Sequence, residues 1–305
     1  MAYAVLFPGQ GSQHVGMGAD IFAAQPELLV DAADEVLGWS LRDLCAEGPE
    51  EELRRTERAQ PALYAVAFAL WDAFRAAAPP PAAAAGHSLG EYTALAAAGA
   101  FDFAEGLRLV SARGSAMAAA ADETDSGMAA LLGGDAESAA AMAEARRADG
   151  GMLWVANINA PGQVVVAGGS EDIAWAADSG PTFGVRRVIP LKVDGAFHTP
   201  LMRPAAHALA TALASTTMSS PEFPVWSNAD AAPVAEPVDA LERQLVSPVR
   251  FAESLVAIAD EGVDTFVHIG PGDVTAGLVR RTVPAATVHV VSALEMVAPV
   301  ASAVE

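Results

Sequence analysis

The segment Gly86-His87-Ser88-Leu89-Gly90 constrains this chain more than any other part of it. It stands between a small-residue run, residues 82–85, and a helical stretch that reaches Ala98. That context predicts a sharp strand-to-helix turn whose strained middle residue lifts its side chain clear of the sheet. The flanking glycines remove side chains that would strike the strand and the helix. A second strand feeding a loop is predicted at residues 2–7, where an apolar run meets Pro8-Gly9 and then Gln10-Gly11-Ser12-Gln13. Both features point to an α/β fold.

Elsewhere the periodicity is uneven. Leu63, Val66, Ala67, Leu70 and Phe74 recur at helical spacing and predict a helix over 59–78. Pro61 is expected near its start, where the missing N–H costs nothing, and Pro79-Pro80-Pro81 should stop it. Between Gly127 and Val193 the texture changes: strands are predicted at 128–132 and 164–167, around an alanine-rich helix at 137–147. This β-α-β unit predicts a small α+β subdomain, residues 127–193, inserted into a larger domain made of residues 1–126 and 194–305. Further strands are expected at 265–269 and 287–291, and a frayed tail from Glu295.

Composition bears on partners. The 305 residues include 52% hydrophobic ones, which suits a compact soluble protein and excludes a disordered or fibrous chain. Seventeen basic against 38 acidic residues leave a net charge of −21, and nucleic-acid binding needs the opposite sign over a large face. Lys192 is the only lysine, so handling of anionic ligands falls to arginines, whose planar fork suits carboxylates and phosphates. Cys45 is the only cysteine, which excludes an intrachain disulfide and a cysteine-based metal cluster and fits a reducing cytoplasm. Neither a signal peptide nor a membrane span is apparent.

A serine hydroxyl is a weak nucleophile and needs an imidazole within hydrogen-bond reach. Six histidines are available. His87 adjoins Ser88, but neighbouring side chains in a tight turn diverge, so a structural role in the turn is expected. His14, His207 and His289 stand in no motif. His198, in Gly195-Ala196-Phe197-His198-Thr199-Pro200, sits in a turn before a helix, where a rigid scaffold can present a catalytic group. His268 lies inside an apolar strand before Gly270-Pro271-Gly272 and is the alternative base.

Six motifs in order carry a family resemblance: Phe7-Pro-Gly-Gln-Gly-Ser-Gln13, Gly86-His-Ser-Leu-Gly-Glu-Tyr92, Arg113-Gly114 with Met117, Asn157-Ile-Asn-Ala-Pro-Gly-Gln163, Gly195-Ala-Phe-His198 and Gln244-Leu-Val-Ser-Pro-Val-Arg250. Together they resemble the malonyl-CoA:acyl carrier protein transacylases and their relatives, the acyltransferases of polyketide synthases, including free-standing ones that act in trans. The resemblance implies an α/β-hydrolase-like large domain interrupted by a small ferredoxin-like one. It implies transfer of a malonyl group from coenzyme A, through an ester on Ser88, to the phosphopantetheine thiol of an acyl carrier protein. No bound cofactor and no metal would be needed, the coenzyme A thioester being substrate.

Carried over by position, the resemblance makes Ser88 the nucleophile and His198 the base and acid. The backbone N–H groups of Gln10 and Leu89 would form the oxyanion hole, and Arg113 would hold the malonyl carboxylate. A backbone carbonyl in Ser247-Pro248-Val249-Arg250, assigned to Arg250, would orient the histidine. Phe197 would favour malonyl over methylmalonyl by filling the space of an α-methyl group. Two segments depart from the pattern: Met117 is followed by Ala118 where a glutamine is usual, and Gly270-Pro-Gly-Asp-Val-Thr-Ala-Gly277 differs from its usual form. Three alternatives stay open: a serine acyl hydrolase or proofreading thioesterase, a transferase of another acyl unit, and an inactive docking scaffold. Carrier docking would use Arg186-Arg187 with Lys192, or Arg280-Arg281.

Overall fold

The computed structural model describes residues 2–193 and 195–305. Met1 and Asp194, which bound two of the segments expected above, lie outside the described residues. In chain order the strands are β1 (Tyr3–Phe7), β2 (Ala83–Gly86), β3 (Ser126–Leu132), β4 (Leu153–Ala160), β5 (Gln163–Gly169), β6 (Arg187–Pro190), β7 (Val225–Trp226), β8 (Thr265–Ile269) and β9 (Thr287–Val291). They form two sheets, one ordered β7-β2-β1-β8-β9 and the other β4-β5-β3-β6.

Every pairing in the five-stranded sheet is parallel. Parallel sheets are covered on both faces, so their central strands are apolar throughout, and β1 and β8 are buried at all five positions. Side chains alternate across a strand, and β1 divides accordingly: Tyr3, Val5 and Phe7 enter one core, Ala4 and Leu6 another. The first core includes the helix Thr56–Arg75 and the second the helix Phe251–Asp260. In β2, Ala83 to Gly86 bring almost no side-chain bulk, so the backbone of the following helix, Gly90–Ala97, can lie close to the sheet.

The four-stranded sheet is antiparallel and follows the sequence strand, helix, strand, strand, helix, strand, with helices Ala136–Ala148 and Ser170–Ser179. Ala129, Leu131, Val164 and Val166 face those helices. Met128, Val165 and Ala167 face the main core.

Three expectations are corrected. The segment expected as an insert holds four strands rather than two; β4 was missed because Asn157 and Asn159 interrupt its apolar pattern and its pairing shifts register at Val155/Asn157 and Ile158/Ala160. Pro61 stands inside its helix, which starts at Thr56, because the amides of Arg58 and Ala59 already bond to the Arg55 carbonyl. The end of the chain is not frayed: helix Val297–Ala303 docks Val297, Val300 and Ala301, with Val304 after it, into the main core.

Candidate active site

The turn after β2 is as tight as its sequence requires. Ser88 has φ +51°, a left-handed conformation that non-glycine residues rarely adopt. A Cβ on Gly86 would overlap the backbone of Gly90, and one on Gly90 would overlap the carbonyl of Phe7. Both glycines are therefore steric necessities. Gly9 is equally confined, since a Cβ there would overlap the His87 carbonyl, so the loop after β1 lies directly against the turn. Asn228, two residues after β7, fixes the turn from the other side. Its Oδ1 accepts from the Ser88 amide at 2.7 Å and its Nδ2 donates to the Gly86 carbonyl at 2.7 Å.

His198 comes from a different part of the chain, the turn before helix Arg203–Ser215, and it too has positive φ, +60°. Its Nε2 lies 2.7 Å from Ser88 Oγ and its Nδ1 3.0 Å from the Gln244 carbonyl. A carbonyl can only accept, so Nδ1 carries the proton and the Nε2 lone pair is left to accept from the serine. Burial, and then the Arg113 charge, push the His198 pKa down to about 3, so the ring is neutral at physiological pH.

The carbonyl facing His198 is corrected in part: Nδ1 bonds to Gln244 at 3.0 Å, the Ser247 backbone, within the expected segment, also favours the protonated ring, and Arg250 does neither. The Arg250 carbonyl is occupied elsewhere, accepting from the Ser254 amide at 3.0 Å and from Ser254 Oγ at 3.2 Å. The motif was the right one, but its first residue, at the end of helix Pro237–Gln244, turns to the site.

Arg113 lies on helix Phe103–Asp122 and is 1% exposed. It donates to Gln60 Oε1 at 2.7 Å, Gln244 Oε1 at 3.0 Å and Ser88 Oγ at 3.1 Å, and stands 5.4 Å from the centroid of the Tyr92 ring. Its hydrogen-bond acceptors are two neutral amides and a hydroxyl, and its Nε has no partner among the described residues. A buried guanidinium held this way retains its appetite for a carboxylate.

Gln10, Ser88, Leu89, Arg113, Phe197 and His198 all line one cavity of about 400 Å³. Among the described residues the N–H groups of Gln10 and Leu89 have no protein acceptor, so both remain available to a bound oxygen. Phe197 is buried against the main core as well as lining the cavity, and a Cβ on Gly195 would crowd Ala121. His87 also lines it, with Nε2 2.6 Å from Asn159 Oδ1.

His268 is elsewhere: its ring bonds to Thr275 Oγ1 at 2.6 Å and to the Gly270 carbonyl at 3.1 Å. His14 and His207 are exposed. Sequence reasoning passed over Gln60, Glu91, Asn228 and the side chain of Gln244. Three of these stand in segments that had already drawn notice, but their partners are 53 to 156 positions away and no local pattern announces them. Among the described residues no group of three or more histidine, cysteine or acidic residues could hold a metal ion, and no helix is long and apolar enough to cross a membrane.

Comparison with known proteins agrees with this geometry. Residues 5–299 match the acyl transferase domain family. The chain belongs to that family. It is 42% identical over 283 residues to the malonyl CoA-acyl carrier protein transacylase of Bacillus subtilis, covering 91% of this chain and 89% of the relative. A polyketide biosynthesis malonyl CoA-acyl carrier protein transacylase from the same organism is 40% identical over 281 residues, covering 90% and 95%. Among solved structures, a malonyl-transacylase in complex with a type II polyketide synthase acyl-carrier protein superposes with a TM-score of 0.94 at 38% identity, covering 99% of this chain and all of that one. The shared architecture is an α/β fold with a parallel sheet and a small antiparallel one.

Proposed function

We propose that this protein is a malonyl-CoA:acyl carrier protein acyltransferase of the cytoplasm that works through an ester on Ser88. The observation that carries the reading is the buried Arg113 guanidinium beside a hydrogen-bonded Ser88–His198 pair in one cavity. Malonyl has a thioester carbonyl at one end and a carboxylate at the other. A cation that donates to the hydroxyl from 3.1 Å is close enough to hold the second while the serine attacks the first.

In the first half-reaction the Ser88 proton passes to His198 Nε2 as the oxygen attacks the thioester. Charge then develops on the carbonyl oxygen, for which the Gln10 and Leu89 N–H groups are suitable donors, each worth roughly 3–4 kcal/mol. The carbon–sulfur bond breaks and His198 returns its proton to the coenzyme A sulfur. In the second half-reaction the same imidazole takes the proton of the carrier's phosphopantetheine thiol as the sulfur attacks the ester carbonyl; the carbon–oxygen bond to Ser88 breaks and His198 returns the proton to Ser88 Oγ. The Gln244 carbonyl stabilises the imidazolium formed in each half, so no triad carboxylate is needed.

On the same reading, the larger part of the fold, residues 1–126 and 194–305, is α/β-hydrolase-like, and residues 127–193 form a ferredoxin-like insert, a description supported by the strand order β4-β5-β3-β6. Arg186, Arg187, Lys192, Arg280 and Arg281 are exposed and available to a carrier protein. Phe197 limits the acyl unit to one without an α-substituent. The test is intact-mass measurement after exposure to malonyl-CoA. The wild type should gain one malonyl group and Ser88→Ala none; an adduct on the variant would overturn the assignment of the nucleophile.

A further inference from the structure

Two donors from separate parts of the chain converge on one carboxylate oxygen. Glu91 is the first residue after Gly90 and is 0% exposed. Its Oε2 accepts from Gln244 Nε2 at 2.7 Å and from the Asn228 amide at 3.0 Å, whereas its Oε1 has no partner among the described residues. Each of those two donors is tied again to the reacting pair. Gln244 supplies the carbonyl that faces His198 Nδ1, and its Nε2 also donates to the Ser88 carbonyl at 2.9 Å. Asn228 pins the Ser88 amide and the Gly86 carbonyl.

We infer that Glu91 is a positioning residue of this site, its carboxylate holding Gln244 and Asn228 so that His198 and Ser88 keep their 2.7 Å approach. It does not line the cavity and touches neither reacting atom. An ionised acceptor in a dry interior binds its donors about twice as strongly as a neutral one. The chemistry ascribed to Ser88 rests on the reading given above; the architecture of the clamp does not.

The clamp has a consequence for pH. Glu91 is faced by Arg113 from helix Phe103–Asp122, which favours its anion, and by Asp230 from the turn after β7, which opposes it; Tyr92 adjoins it on its own helix. Burial outweighs the favourable contacts and pushes its pKa up to about 7. His198, held down near 3, does not change charge in that range. Ser88 reactivity therefore declines as the pH falls through 7, because Glu91 takes up a proton and becomes a weaker acceptor.

The experiment is the rate of Ser88 labelling by diisopropyl fluorophosphate, a neutral reagent that needs the serine and histidine but not Arg113, followed by intact mass from pH 5.5 to 9. Wild type should show a limb near pH 7. Glu91→Gln cannot titrate, so it should lose the limb, label about 10- to 100-fold more slowly at pH 8, and show a lower kcat for malonyl transfer with the KM for malonyl-CoA unchanged.

A variant that labels at the wild-type rate or keeps the limb would overturn the inference, as would a raised KM with kcat intact, which would mean that Glu91 serves Arg113 instead. Should the variant fail to fold, Glu91→Asp, which keeps the charge but shortens its reach to Gln244 and Asn228, decides instead: labelling at the wild-type rate is incompatible with the clamp. Labelling that succeeds while malonyl-CoA leaves no adduct would sink the substrate assignment alone.

Discussion

On the proposed reading, selection of the acyl group turns on Arg113. Its guanidinium is enclosed by Gln60 and Gln244 and stays without a hydrogen-bonded carboxylate. A malonyl group would supply one; an acetyl group would leave the guanidinium with no directly bonded anion, which is how a polar site rejects an analogue that lacks the matching group. Arg113→Ala should therefore lower the ratio of malonyl to acetyl loading about 10- to 100-fold, as the loss of a charged hydrogen bond of about 1.5–3 kcal/mol implies. Total activity should fall too, because Gln244 loses a donor and also carries the carbonyl behind His198. Competition between the two thioesters, read as adduct masses, checks this; equal loss for both would mean that Arg113 is structural. At this scale the serine was legible because its turn is built from five consecutive residues. The Gln244 carbonyl was not, because only the packed fold brings it to a histidine 46 positions away.

At the scale of elements, legibility followed the sheet. Strands β8 and β9 were expected over the residues they occupy, since an apolar run bounded by turns needs no tertiary information. The helix over 59–78 was displaced by three residues at each end, its start being set by the Arg55 carbonyl rather than by Pro61. The final helix escaped notice because Val297, Val300, Ala301 and Val304 span barely two turns, too few to register a period. Its docking is nevertheless firm, with Val304 fully buried in the main core. Val304→Asp places a charge where none can be solvated, and undocking is the cheaper response. Amide exchange across Val297–Ala303 should accelerate to that of an exposed segment and the melting temperature should fall, while Ser88 still accepts malonyl at 25 °C. Unchanged exchange protection in the variant would show that the docked end contributes nothing.

Across the whole molecule the two sheets divide the labour. The parallel sheet presents Ser88 at the end of β2, and one face of the antiparallel sheet closes the same cavity with Met128, Asn157, Asn159 and Val165. A net charge of −21 keeps such a molecule apart from other polyanions unless a local cluster of arginines meets them, so a carrier protein, itself acidic, would have to approach by that route. The central claim is that Ser88 passes its acyl group to a thiol rather than to water. Malonyl-enzyme freed of coenzyme A and mixed with phosphopantetheinylated carrier protein tests it directly. Malonyl should leave the enzyme and appear on the carrier mole for mole, and should persist on the enzyme when the carrier lacks its thiol. Release of free malonate at the same rate with and without the thiol would make this protein a hydrolase and contradict the account.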